Sequence, residues 1–210
     1  MQDIIKSLRA GISIGNTLDA FDKSIKISDA PDKTETSWGN PVITQELVDA
    51  YIEAGLNVIR IPVTWTGHFG DAPDYTIEEA WLKRIKEVVD YAYKRGAYAI
   101  LNLHHENWNY PYYENEERAC IIMTALWSQL AAEFAAYDEH LIFEGQNEPR
   151  KVGTPLEWNG GEEEGWAVVN STNAAFVNTV RQGTGNNKPI PFMTPGYATI
   201  CTERIKHTEI

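Results

Sequence analysis

Three groups of residues have the types and spacing for chemistry. Asn147-Glu148-Pro149 directly follows the apolar run Leu141-Ile142-Phe143-Glu144-Gly145-Gln146. A carboxylate at the end of an apolar strand, with an amide beside it, suits general acid/base work. Most glutamates are solvated surface residues, so position rather than residue type carries this reading. His104-His105-Glu106 follows a second apolar run. Neighbouring strand residues point to opposite faces, so the two imidazoles are not expected to share one metal. A metal site completed by Glu106 is the competing arrangement. Hydrogen bonding of His104 within a polar cleft is the favoured one. Arg60 lies inside the apolar run Val58-Ile59-Arg60-Ile61, where an unpaired charge is costly. On an edge strand it would face solvent. With a glutamate expected nearby, an inward Arg60 bound to a carboxylate is favoured.

These residues need elements to position them. Gly11-Ile12-Ser13-Ile14-Gly15-Asn16-Thr17 reads as a short strand ending in polar residues. Thr44 is an N-cap, Leu47, Val48, Tyr51 and Ile52 repeat at helical spacing, and Gly55 ends the helix. Residues 57–63 form a mostly apolar strand. Thr76 and Glu79 have the spacing of a capping box, followed by Leu82, Ile85, Val88, Val89 and Ala92 on one face and by Gly96. Residues 97–104 read as a strand, and residues 116–137 hold a long helix with Ile122, Leu126, Leu130 and Phe134 on one stripe. Strand 141–146, helix 164–181 with Gly183 near its C-cap, and strand 191–194 complete the order (βα)₄β.

Such apolar strands joined by helices predict a parallel sheet covered by helices. Doubly wound and barrel architectures both fit. No Gly-rich phosphate loop follows the first strand, which weakens a dinucleotide fold. Polar residues instead gather at strand C-termini: Asn16, Asp19, Trp65, His104, His105, Asn147 and Glu148. In a (β/α)₈ barrel those ends converge on one face, where the active site is built.

Composition narrows the function. The 210 residues are 43% hydrophobic and 23% charged, an ordinary globular balance for one or two domains. No run approaches the ~20 apolar residues that span a bilayer, so no membrane association is expected. The net charge of −12 argues against nucleic acid, which requires clustered Lys and Arg. Seven Trp and ten Tyr suit stacking on neutral ligands such as sugars, although aromatic rings also fill cores. Cys120 and Cys201 lack metal-ligand spacing and are expected as thiols, with a disulfide the alternative. The N-terminus MQDIIKSLRAG has no apolar h-region and is not read as a signal peptide. Asn170-Ser171-Thr172 has the form of an N-glycosylation acceptor, but falls in an expected helix.

Five motifs together resemble glycoside hydrolase family 5, most closely its bacterial and rumen-fungal endoglucanase branch. They are Gly15-Asn16-Thr17-Leu18-Asp19, Thr36-Ser37-Trp38-Gly39-Asn40-Pro41, residues 57–65, Asn102-Leu103-His104-His105-Glu106 and Gln146-Asn147-Glu148-Pro149-Arg150. The resemblance spans residues 3–198. It implies a (β/α)₈ barrel and retaining hydrolysis of a β-1,4-glucan, without metal or organic cofactor. It implies Glu148 as acid/base and Asn147 as the amide that binds the sugar 2-hydroxyl. Arg60 and His104 would support the nucleophile, and Asn16, Trp38, His105 and Trp158 would line the cleft. Retaining chemistry needs two carboxyls about 5–5.5 Å apart, one protonated and one ionised. Burial or a nearby negative charge would have to raise the acid's pKa, and an arginine such as Arg60 would favour an ionised nucleophile.

The family's later motifs do not occur: a His-x-Tyr on the sixth strand, a nucleophilic Glu ending the seventh and a Trp after the eighth. Glu203 and Glu209 do not end an apolar strand, so the nucleophile is expected outside this chain. Strand starts recur about every 45 residues, which would make a whole barrel roughly 345 residues. Residues 1–210 are therefore expected to be a partial catalytic domain holding strands one to five. The protein is expected to be secreted. An open sheet edge is expected to self-associate or to pair with a chain supplying the missing strands. The alternative function is a noncatalytic β-glucan-binding module or an inactive fragment.

Overall fold

The computed structural model describes residues 2–26, 29–183 and 191–199. Five strands alternate with helices: β1 Gly11–Ser13, β2 Val58–Ile61, β3 Tyr98–Asn102, β4 Leu141–Glu144 and β5 Phe192–Met193. The sheet is parallel throughout, in the order β1-β2-β3-β4-β5. A doubly wound sheet reverses its strand order at a switch point, whereas strands in unbroken sequence order belong to a barrel. The architecture is that of the (β/α)₈ family, with five strands of it described here.

Four helices form the outer layer: α3 Gln45–Glu53, α4 Glu79–Tyr93, α5 Tyr113–Glu133 and α6 Glu163–Gly183. Two short helices were not anticipated, α1 Gln2–Ser7 and α2 Pro31–Glu35. Thr44 caps α3 as expected, its side chain accepting from the Leu47 N–H at 3.3 Å. Gly55 and Gly96 take the positive φ angles of 96° and 71° that close α3 and α4. The capping box at Thr76 and Glu79 does not form. The N-cap of α4 is Glu78, without a side-chain cap. Residues Thr76 and Glu78 instead pair with the loop at Gly70 and His68, and α4 begins only at Glu79, two residues later than a cap at Thr76 requires.

Alternation along the strands divides the core. Ile59, Ile61, Ala99, Leu101, Leu141 and Phe143 face the helices, meeting Trp81, Ile85, Trp127, Leu130 and Phe176. Tyr98, Ile100 and Ile142 face the other side, where α1 supplies Ile4. Arg60 is in register with Ile100, and Asn102 with Glu144, so these polar residues share the inner face. The sheet thus carries an apolar outer surface and a polar inner layer near its C-terminal end.

Strand ends are shorter than the sequence suggests. β1 stops at Ser13 because Asn16 turns at φ 60° and the Thr17 N–H bonds back to Asp19 Oδ1 at 2.9 Å. β3 stops at Asn102, which has consequences for the histidines below. Asn170 lies in the middle of α6, and Thr172 is buried and bonded to Gln146, so the triplet is not in the surface loop that glycosylation requires. Cys120 is half-buried on α5, and Cys201, Glu203 and Glu209 lie outside the described residues.

Candidate active site

The floor of the site is a charged network on the inner face. Arg60 Nε donates to Glu144 Oε2 and Nη2 to Glu144 Oε1, each at 2.7 Å. Nη2 also donates to Asn147 Oδ1 at 2.8 Å. Burial works against the Arg60 charge, but the hydrogen bonds and attraction of Glu144, with Glu148 and Asp19, outweigh it and hold its pKa above the ordinary value. The inward arginine expected from the sequence is therefore present. Its partner is Glu144, which the reading of residues 141–146 as a plain apolar strand passed over.

Asn102 sits beside Glu144 and is fully buried. Its Oδ1 accepts from the Val63 N–H at 3.1 Å, and its Nδ2 faces His104 Nδ1 at 3.0 Å and Glu144 Oε1 at 3.4 Å. Loss of water around His104, reinforced by the charges of His105, Arg60 and Arg150, lowers its pKa to about 3. The ring is neutral at ordinary pH.

His104 and His105 do not point to opposite faces, contrary to the sequence expectation. The strand has already ended at Asn102, and the two rings meet edge to face with centroids 4.5 Å apart. Both Nε2 atoms lie 3.8 Å from Asp19 Oδ2. Asp19, His104 and His105 thus offer three metal-ligand atoms within 4.8 Å of one another. The donor set does not suit a metal well, because a ligating imidazole must present an unprotonated nitrogen. Asn102 already occupies Nδ1 of His104 as a donor.

Glu106 is not a third ligand. It is buried and accepts from the Trp65 and Thr66 N–H groups, the Thr66 hydroxyl and the Trp108 indole. Burial nevertheless pushes its carboxyl above the ordinary range. Its role is to tie the end of β2 to the loop after β3.

Above this floor is an open cleft of about 430 Å³. Trp38, His104, His105, Asn147 and Glu148 line it, together with Tyr110. Trp38 is half-exposed and packs its ring 5.7 Å from His105. Glu148 has φ 36°, a left-handed conformation that costs a non-glycine residue roughly 1–3 kcal/mol. Its neighbours hold it there. The Asn147 N–H bonds to the Leu103 carbonyl at 2.7 Å, and the Pro149 carbonyl accepts from the Ala198 N–H at 2.9 Å.

Arg150 forms the flank. Its guanidinium donates to the Glu148 carbonyl at 3.0 Å and to Glu157 at 3.1 Å, and stacks 4.2 Å from the Trp158 ring centroid. Lys151 is buried between Glu162 and Glu164 over the Tyr112 ring, and this anchors the loop to α5 and α6.

The structure therefore brings together Glu148, Asn147, His104, His105, Trp38 and, beneath them, Arg60. Asn16 and Trp158 do not line the cleft. The Asn16 carbonyl accepts from Asn40, and Trp158 reaches the site through Arg150. Sequence reasoning missed Glu144, Asn102 and Tyr110. The period-two spacing of Ile142 and Glu144 was a readable signal for Glu144. Asn102, two residues after Ile100, carried the same signal, and nothing local marked Tyr110.

Comparison with known proteins agrees with this geometry. The family profile described as cellulase (glycosyl hydrolase family 5) matches residues 18–205. Endoglucanase B of Neocallimastix patriciarum is 53% identical over 203 residues, covering 96% of this chain and 43% of that protein. Endoglucanase A of Ruminococcus albus is 46% identical, covering 99% of this chain and 56% of that one. Among solved structures, a broad-specificity endoglucanase from Ruminococcus champanellensis with bound cellotriose superposes with TM-score 0.93 at 44% identity, covering 99% of this chain and 60% of that chain. A xyloglucan-specific endo-β-1,4-glucanase from a metagenomic library, in complex with cellotriose, gives the same TM-score and identity, with coverages of 100% and 61%. The chain spans about half the length of these two curated relatives and about 60% of these solved chains. With a matching family profile, a parallel strand order and a strand-end Asn-Glu pair in a polar cleft, the chain belongs to the cellulase family, glycosyl hydrolase family 5.

Proposed function

We propose that this chain carries the acid/base half of a retaining endo-β-1,4-glucanase acting on cellulose or related β-glucans. The observation that carries the reading is the bond from Arg60 to Asn147 Oδ1. With its oxygen held, the Asn147 amide has its N–H groups free to donate to a sugar hydroxyl beside Glu148. Glu148, when protonated, gives its proton to the glycosidic oxygen as the bond from that oxygen to the anomeric carbon breaks. A second carboxylate forms the new bond to the anomeric carbon. Glu148, now ionised, takes a proton from the water that displaces this carboxylate. Glu106, the other carboxylate lining the cleft, has its oxygens committed to backbone and side-chain donors. We therefore place the nucleophile outside the described residues, and residues 1–210 as the first five strands of the catalytic domain.

Reducing-end release from carboxymethyl-cellulose or lichenan tests this in the protein expressed from its complete reading frame. Glu148→Gln should lower kcat by about 10³-fold. Retention by glucan in affinity electrophoresis without turnover supports a binding module instead, and neither signal supports an inactive fragment. A polymeric substrate cannot enter a cell, so we place the protein outside it; activity that appears only after intact cells are lysed would refute that. β1 and β5 are the sheet edges, and we expect residues 1–210 expressed alone to self-associate. A single monomer peak in light scattering with cooperative unfolding would count against this.

A further inference from the structure

We infer that Asn102 is a positioning residue that commits His104 to a single tautomer, with its proton on Nε2, so that the ring serves the cleft as a permanent hydrogen-bond donor. The inference rests on the glucanase reading for the use of that donor, but not for the tautomer itself.

The orientation of the Asn102 amide is settled by two partners with one possible role each. The Val63 backbone N–H can only donate, so the atom 3.1 Å from it must be the amide oxygen. Glu144 accepts from Arg60 on both of its oxygens, so the atom 3.4 Å from its Oε1 must be the amide nitrogen. That same nitrogen lies 3.0 Å from His104 Nδ1. An N–H donor facing Nδ1 requires an unprotonated Nδ1, and in a neutral ring the proton is then on Nε2. Flipping the amide would leave two donors opposed at Val63 and two acceptors opposed at Glu144. Both contacts are buried, where such losses are expensive.

The consequences follow from geometry. His104 lines the cleft, and its Nε2 has Asp19 Oδ2 at 3.8 Å, too far for a direct hydrogen bond. The Nε2–H is therefore available to an acceptor oxygen of a sugar hydroxyl. A ring fixed in this way neither removes protons from substrate nor binds a metal through Nε2. This separates its work from that of Glu148. The histidine orients and Glu148 transfers the proton. Glu144 then has two tasks: it holds Arg60 onto Asn147, and it holds the Asn102 amide that sets His104.

Long-range nitrogen–proton correlation spectra of protein labelled with ¹⁵N-histidine test this at neutral pH, with His104→Gln identifying the His104 signals by their loss. The wild-type ring should show a protonated Nε2 and an unprotonated Nδ1. In Asn102→Asp, a carboxylate replaces the donor, and the proton should move to Nδ1. The kcat/KM of that variant should fall roughly tenfold, and its pH profile should change shape. A wild-type ring protonated on Nδ1, averaged between tautomers or doubly protonated overturns the inference. So does an Asn102→Asp spectrum identical to wild type. If the variant does not fold, the wild-type spectrum alone decides. Because the spectra require no turnover, their failure is distinct from inactivity caused by a wrong assignment of Glu148.

Discussion

Arg60 and Glu144, separated by 84 positions, meet in a two-pronged ion pair with both bonds at 2.7 Å. The third bond of Arg60 goes to Asn147, so one guanidinium links the middle of β2 to the residue beside Glu148. A planar fork is needed for this, and an ammonium cannot satisfy three oxygens in the same geometry. Arg60→Lys should therefore lower kcat by about 10²-fold while charge is retained. Glu144→Gln should do the same through loss of the paired charge, and should also destabilise the fold by about 2 kcal/mol. Steady-state kinetics and urea unfolding check both. Wild-type kcat in Arg60→Lys would show that the fork does not matter.

The two exposed tryptophans should behave differently. Trp38 lines the cleft, and Trp158 does not. Removing a stacking surface for sugar raises KM with little change in kcat, because such contacts serve ground and transition states alike. Trp38→Ala is expected to raise KM about tenfold, the effect of losing roughly 1.4 kcal/mol of binding. Trp158→Ala should act through Arg150, which loses its stacking partner beside the Glu148 carbonyl, and should affect kcat more than KM. Equal KM effects in the two variants would contradict this assignment.

Stability rests on a second ion pair away from the cleft. Glu35 is fully buried and accepts from the Ile43 N–H and from two nitrogens of Arg84. Arg84→Ala would strand that carboxylate and should cost about 3–5 kcal/mol. Lys86 and Glu133 form a half-buried pair nearer the surface, for which Glu133→Ala should cost under about 1 kcal/mol. Chemical denaturation of the two variants should show this contrast.

Acid should weaken the fold through its histidines. His68 is stacked on Trp81 and hydrogen-bonded to Thr34, with Glu78 at 3.5 Å, and burial lowers its pKa to about 4. His104 titrates lower still, at about 3. Both rings would protonate near 6.5 in the unfolded chain. Between that value and their folded pKa values the unfolded state binds more protons, so stability falls as pH falls. The histidine contribution is fully present above about 6.5, and the His68 part is lost progressively down to about 4. Each group contributes about 1.4 kcal/mol per pH unit at most. His68→Phe should flatten the pH dependence of unfolding free energy in this window. An unchanged slope would mean that His68 is not held neutral.

The sequence by itself determined the element order and the parallel sheet, and it put Asn147 and Glu148 at a strand end as candidates for proton transfer. Helical spacing from Leu47 to Ile52 and the caps Thr44, Gly55 and Gly96 are local signals, and they formed as local energetics require. Asn147 and Glu148 were legible because an apolar run stops just before them. What only the tertiary structure decided were relationships between strands. Thr76 lost its capping role to pairing with the loop at His68 and Gly70. His104 and His105 came to one face because β3 ends at Asn102, a boundary that pairing with neighbouring strands sets. Glu144 and Asn102 acquired their roles from register, which places them side by side on the inner face. A buried polar residue is explained by its partners, and those partners lie on other strands, far away in sequence.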